Sequence, residues 1–289
     1  MRILPECYAC ALRQALSAAR LATEDEDFHH RCLLEAARIL TTVDRRATPP
    51  EVGEKVYRMV RELSGVPDPF RDQKRRQNEA VMELLPWMRE TVGNADDPLL
   101  MAVRLAIAGN SVDPGAQESF DLEKSVLEAV AGETGLSGYP LFAERLAGAG
   151  TVLVLADNCG EVVFDRVLIE TMLESRDLSV WVAVRSAPVI NDVTAVEAYE
   201  AGLCEVCSVI ESGSEMPGTI PERCTPEFRR LFETSDVVIS KGQGNWETLE
   251  ECGREVFFMF QAKCSAVARI NDCPPGRLLL LAGGIPHRC

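Results

Sequence analysis

From Thr151 onward the chain alternates between two kinds of segment, and that alternation limits the fold more than any other feature. Short apolar runs rich in β-branched residues ("TVLVLADN", "LSVWVAVR", "DVVISKG", "EVFFMF" and "RLLLLAG") are separated by amphipathic stretches. Residues 161–174 form one such stretch, where Val163, Val167 and the group from Leu168 to Leu173 can face inward, and 192–201 form another. Strands and helices in turn predict a mostly parallel sheet with both faces covered, because each parallel crossover lays a helix across a face. The expected fold class is α/β, a three-layer α/β/α Rossmann-like arrangement.

The first hundred residues read differently. In "TPPEVGEKVYRMVRELSG" Thr48 and Glu51 have capping-box spacing, Pro49 suits the first turn and Gly65 suits the end. Val52, Val56, Met59, Val60 and Leu63 then share one helical face, and Val81, Leu84, Met88 and Val92 repeat the spacing. The expected division is a helical subdomain over 1–109 and an α/β metal- and phosphate-binding domain over 110–289. The stretch 212–226, "SGSEMPGTIPERCTP", is too polar and long for a simple connector. It suits either a lid or specificity loop, or a plain surface excursion.

Charge narrows the function classes. Among 289 residues, 45 acidic against 30 basic side chains give a net −15, which argues against nucleic acid or an anionic membrane as partner. An anionic small substrate would need a metal or a few placed cations. No apolar run approaches membrane-spanning length, and "MRILPECYACAL" lacks the apolar core of a secretion signal, so a soluble cytoplasmic protein is expected. The oligomeric state has no signature. Eleven cysteines, an odd number, are expected to be mostly reduced, buried thiols. The three histidines, His29, His30 and His287, lie near the chain ends, which disfavours imidazole-based triads and His-rich zinc sites.

In a parallel sheet, ligands gather at the carboxyl ends of the strands. Three polar clusters fall there: Asp157-Asn158 after "VLVLA", "RSAPVINDVT" with Arg185 and Asp192, and "KGQGNWE" with Lys241 and Asn245. A lone Asp at a strand end is ordinarily a helix cap, but three clusters converging on one edge change the odds. Asp157, Asn158 and Asp192 offer oxygen only, which suits Mg²⁺ or Mn²⁺. Gly160 allows close backbone approach at the start of a helix, whose first N–H groups favour an anion. Lys241, Arg185 and Lys263 are placed to neutralise phosphate oxygens. Metal, lysine and helix N-terminus together are the equipment of phosphoryl transfer. No phosphate-loop motif is present, and the G-x-G of "KGQGNWE" lacks a third glycine. "AIAGNSVDPG" reads first as a helix stop, and alternatively as Asn110 and Asp113 reaching across to close the site.

Cys7-x-x-Cys10 sits at the start of a helix, where the dipole is expected to lower thiol pKa. It suits half of a second metal site or a redox pair. Cys204 and Cys207 share the spacing, but "CEVCSVI" reads as a strand that would point them to opposite faces.

The ordered set "PECYAC", "GNSVD", "DNCGEVVFD", "VRSAPVINDVT", "SKGQGNWE" and "FQAKC" resembles the DUF89 family of metal-dependent damage-control phosphatases, in particular its prokaryotic branch with an N-terminal Cys-x-x-Cys. The likeness spans nearly the whole chain. It implies an α/β/α domain with an added helical region that hydrolyses phosphate esters of small metabolites, such as sugar phosphates or damaged phosphorylated intermediates. The implied cofactor is a divalent ion: Mg²⁺, Mn²⁺, Co²⁺ or Ni²⁺. Carried over by motif, Asp157, Asn158 and Asp192 are the metal ligands and Lys263 binds phosphate or acts catalytically. Asn110, Asp113 and Asn245 then lie beside the substrate. Asp113 or Glu161 would orient the attacking water, and an aspartyl-phosphate route through Asp157 stays open. Two alternatives remain: an S-adenosylmethionine-dependent carboxyl methyltransferase, against which "ADNCGE" makes a poor glycine-rich turn, and a non-catalytic metal- or redox-sensing module at Cys7 and Cys10.

Overall fold

Three N-terminal helices pack on one another through two small apolar cores: α1 (Pro5–Ala22), α2 (Glu26–Thr41) and α3 (Pro49–Ser64). The computed structural model describes residues 1–110, 119–131 and 134–285. Helix α3 forms as its sequence predicts. Thr48 Oγ1 accepts from the Glu51 N–H, the Glu51 carboxylate accepts from the Thr48 N–H at 2.8 Å, and Gly65 closes the helix in the left-handed conformation at φ 68°. That reciprocal cap satisfies two N–H groups no helical carbonyl can reach.

The chain continues through α4 (Arg71–Met82), α5 (Leu85–Gly93), α6 (Pro98–Ala108), α7 (Ser119–Ala131), β1 (Thr134–Gly135) and α8 (Tyr139–Ala147). Then come β2 (Thr151–Leu155), α9 (Glu161–Glu174), β3 (Ser179–Val184), α10 (Ala195–Glu200), β4 (Ser208–Glu211) and α11 (Pro226–Thr234). The last elements are β5 (Val237–Lys241), α12 (Gln243–Leu249), β6 (Val256–Gln261), α13 (Ser265–Ile270) and β7 (Leu278–Gly283). The sheet order is β1-β7-β6-β5-β2-β3-β4, parallel throughout except for the antiparallel pair β6–β7.

Strand alternation sorts side chains onto two faces. Val152, Val154, Val180, Val182, Val237 and Ile239 join one core with Met88, Leu105, Ile107 and Phe164, which come from α5, α6 and α9. Leu153, Leu155, Val238, Phe258 and Phe260 join the other with Phe228, Trp246 and Val267, from α11, α12 and α13. The three layers expected are therefore present. The boundary expected at residue 109 is not a break in packing: α5 and α6 share the sheet's own core, and only α1–α3 carry cores apart from it.

Because β3 and β4 lie on one side of β2 while β5 and β6 lie on the other, the chain reverses direction across the sheet at the β2/β5 pair. The carboxyl ends of these two strands flank the crevice that such a switch point leaves open. "CEVC" departs from expectation. Leu203–Glu205 is a 3₁₀ turn, the Cys207 N–H bonds the Leu203 carbonyl, and β4 starts only at Ser208, so Cys204 and Cys207 ride one helical turn rather than opposite strand faces. Among the described residues, no helix is long and apolar enough to cross a membrane.

Candidate active site

Backbone hydrogen bonds staple the first two polar clusters together. The Cys159 N–H donates to the Asn191 carbonyl at 2.8 Å and the Val193 N–H to the Asp157 carbonyl at 2.9 Å, while Asn158 and Asp192 pair as an isolated bridge. Ile190, at φ 41°, takes a backbone conformation rare for a β-branched residue, two positions before Asp192. The third cluster closes in through Gly242, at φ 79°, where any Cβ would collide with the Asp157 carboxylate. Asp157, Asn158 and Asp192 thus meet at the switch point, the two aspartates buried and the asparagine half-buried.

The cations beside them are committed inward. Arg185 is 3% exposed. Its Nε donates to Asp192 Oδ2 at 2.7 Å, Nη1 to the Gly218 carbonyl at 2.8 Å and Thr219 Oγ1 at 3.0 Å, and Nη2 to Asn245 Oδ1 at 3.1 Å. Lys241 is fully buried; its Nζ donates to Glu161 Oε1 and Asp165 Oδ1, each at 2.6 Å, and to the Ala106 carbonyl at 2.9 Å. Neither has a donor group aimed at open solvent, in contrast to the substrate contact expected of both. Asn245 is saturated too, donating to the Ala156 and Lys241 carbonyls and accepting from Thr219 and Arg185. Glu161 spends Oε1 on Lys241 and Oε2 on the amides of Asn110 (2.5 Å) and Asn158 (3.2 Å), so it holds side chains rather than offering a lone pair to water. Asn110 also donates to Asp157 Oδ2 at 3.2 Å, which puts it at the centre of the site.

Lys263, two residues past β6, is exposed, and its charge reaches both Asp157 and Asp192. Its N–H donates to Gln243 Oε1 at 2.9 Å, and Gln243 in turn donates to Glu247 Oε1 at 2.8 Å. Asp113, the other residue expected to close the site, lies outside the described residues.

The electrostatics ask for a cation. Asp157, Glu161, Asp165 and Asp192 are all buried and linked through Lys241, Arg185 and the intervening amides. Four buried carboxylates face two buried cations, a crowding of acid that a divalent ion would relieve. Burial pushes the Asp157 carboxyl up to about 8, with Asp192 and Glu161 raising it further and Lys263 and Arg185 pulling it back. Asp192 is raised as well, again by burial, against the pull of Arg185. Two carboxylates and an amide make a hard, oxygen-only donor set that fits a divalent ion held with open positions. Among the described residues no group of three or more His, Cys, Asp or Glu side chains is placed to hold a metal ion, so the candidate donor set here is two carboxylates and an amide, and Cys7 and Cys10 have no third such partner beside them. Burial, not the helix dipole, dominates those thiols: both are raised, Cys7 with Glu247 and Cys264 adding to the effect. The ten described cysteines are free thiols.

Several positioning residues escaped the sequence reading. Asn78 Oδ1 accepts from the Gly160 N–H at 2.7 Å, pinning the positive-φ turn (77°) that opens α9. Lys74, fully buried, bonds Asp68 at 3.1 Å and Glu197 at 3.4 Å. Lys74, Gln77 and Asn78 are three and four apart and so share a helix face, a usable signal hidden because "RDQKRRQNEA" looks uniformly solvated. The 212–226 stretch is no excursion. Ser214, Met216 and Thr219 are buried, and Pro217 and Gly218 sit between α12 and the start of α3, close to Gly53, Gly244 and Pro50.

Residues 3–279 match the family profile described as "Damage-control phosphatase ARMT1-like domain". A damage-control phosphatase of Pyrococcus horikoshii is 32% identical over 97% of this chain and 98% of its own. One from Archaeoglobus fulgidus is 31% identical over 93% and 95%. An uncharacterized protein of Methanocaldococcus jannaschii is 32% identical over 97% and 95%. The crystal structure of a DUF89 family protein from Pyrococcus horikoshii superposes with a TM-score of 0.91 at 31% identity, covering 98% of this chain and 99% of that one.

Proposed function

We propose how this enzyme works from one premise: the chain belongs to the damage-control phosphatase ARMT1-like family. It is a phosphatase, and its substrate is a small phosphorylated metabolite. The finer reading is metal-dependent hydrolysis of a phosphate monoester, such as a sugar phosphate or a damaged phosphorylated intermediate, in the cytoplasm. The observation that carries it is the buried acidic cluster at the switch point, with more carboxylates than buried cations, and an exposed lysine beside it.

Asp157, Asn158 and Asp192 hold the divalent ion, Mg²⁺, Mn²⁺, Co²⁺ or Ni²⁺. When bound, such an ion supplies Lewis-acid polarisation of a phosphoryl oxygen. The chain's own residues do the rest. Lys263 binds the phosphate oxygens from the exposed side, where a long flexible cation can follow charge as it develops. Arg185 and Lys241 fix the acids and keep water out of the layer behind them, and Asn245 locks Arg185 to the end of β5. Asn110 sits against Asp157 and Glu161, its amide nitrogen on both acids and its oxygen on the Gln261 N–H, and it lies beside the substrate only through the contact it makes with Asp157. Asp113 keeps the role of orienting the attacking water on the strength of the "GNSVD" motif alone.

Inorganic phosphate release is the test, over a panel of sugar phosphates with each of the four ions. The reading requires turnover that depends on added metal and vanishes in Asp192→Ala. Metal-independent turnover, or a fully active Asp192→Ala protein, would defeat it.

A further inference from the structure

One buried lysine makes three hydrogen bonds in this site and none of them to anything a substrate could reach. Lys241 is brought to the α9 side of the sheet by strand alternation, on the same face as Val237 and Ile239. There it meets Glu161 and Asp165, four residues apart on one face of α9. A buried ion pair adds little net stability over apolar packing, so what this triad supplies is geometry.

The geometry leads to a metal ligand. An ion-paired carboxylate only accepts hydrogen bonds. Glu161 Oε2 receives the Asn158 amide at 3.2 Å, and Asp157 Oδ2 receives it at 2.5 Å. Flanked by two acceptors, the Asn158 side chain must turn its NH₂ toward them, which directs its carbonyl oxygen to the other side. A cation needs that oxygen, not the nitrogen. Turned the other way, Asn158 would present two N–H donors to the ion.

We infer that Lys241, braced by Asp165, is a positioning residue that acts through Glu161 to set which end of the Asn158 amide faces the divalent ion. The assignment rests on the metal-site reading above. It places Lys241 outside phosphate binding, and it gives Asp165 a role, holding the ammonium alongside Glu161. Asp165 Oδ2 is buried without a hydrogen-bond partner, so this carboxylate does not double as a ligand for anything else among the described residues.

The test is direct Mn²⁺ binding, read from the electron-paramagnetic-resonance signal of free Mn²⁺ over the folded protein with no substrate present. Electrostatics alone and positioning predict opposite signs. Lys241→Met removes a positive charge, which by field alone tightens Mn²⁺. Loss of positioning weakens it instead, by about 10- to 100-fold, the range typical for partners that orient a ligand. Weaker binding supports the inference, and unchanged or tighter binding overturns it. Should Lys241→Met fail to fold, Lys241→Met/Asp165→Leu replaces the pair with apolar side chains at no change in net charge, so the field alone predicts native affinity. This variant is expected to weaken Mn²⁺ about tenfold or more, and native-like affinity in it overturns the inference. In the folded variants saturating Mn²⁺ recovers most of the turnover, a split that a general loss of structure does not give. A native protein that binds no Mn²⁺ would instead sink the metal-site reading itself.

Discussion

The ends of β3 and β6 each deliver a cation to the same crevice, and the two cations live under opposite conditions. Arg185 follows β3 directly and is 3% exposed, with its donors taken by Asp192, Gly218, Thr219 and Asn245. Lys263 stands two residues past β6, exposed, held only through its backbone N–H on Gln243 among the described hydrogen bonds. Lys241, at the end of β5, sides with Arg185. Where a strand end is covered by α9 or α12 its cation becomes a counter-ion of the fold, and where it opens on the crevice its cation is left for a ligand. Position along a strand therefore decides proximity to a site, while the covering element decides whether the charge is available.

Four changes probe that division, in falling order of effect. Asp157→Asn should cost roughly 10³-fold or more in phosphate release, since it strips charge from the centre of the ion's site. The same variant should melt higher than the parent in metal-free buffer, because burial and two neighbouring carboxylates already raise Asp157 to about 8; a lower melting temperature would mean the crowding is not costly. Arg185→Ala leaves Asp192 buried and unpaired, and should lose about 3–5 kcal/mol in chemical denaturation. A loss under about 1 kcal/mol, the range of an exposed pair, would place Arg185 with the available cations after all.

Glu247 separates the two rims by pH. It braces Gln243, and burial raises its carboxyl from 4.5 to about 7. A raised acid favours the folded state while it is protonated. That contribution is full below about pH 4.5 and is lost as pH rises through 7. Glu247→Gln should flatten this fall by about 3 kcal/mol, read from denaturation midpoints between about pH 4.5 and 8. An identical slope in the variant would contradict it. Lys263→Ala, the mildest, should cut kcat/KM by about 10- to 100-fold with the melting temperature essentially unchanged, as befits an exposed donor to a charged group. A large drop in melting temperature would put Lys263 among the structural cations.

Much of the frame was legible in the sequence. The cap of α3, the alternation of strands and helices, and the meeting of Asp157, Asn158 and Asp192 all follow from patterns that act locally or through a simple topological rule. The direction of Lys241 was legible in principle, from Val237 and Ile239 on its strand face and Glu161 and Asp165 spaced by four on the helix α9. Reading it needed the knowledge that these two faces pack together. Helix α4 was opaque for a different reason. Its buried face is built of Lys74, Gln77 and Asn78, and periodicity finds a face only when burial is apolar. The sheet's core and α4's buried face obey the same rule of satisfied contacts, but only the first is written in hydrophobicity.

Gly242 gives the site an unusual vulnerability. Its missing side chain is the hollow in which the Asp157 carboxylate rests, so the smallest branch at 242 would act as a built-in competitor for that hollow. Two segments about 85 residues apart in the chain are in this sense one mechanical part: a side chain added to "KG" would push the carboxylate of "DN" out of its seat.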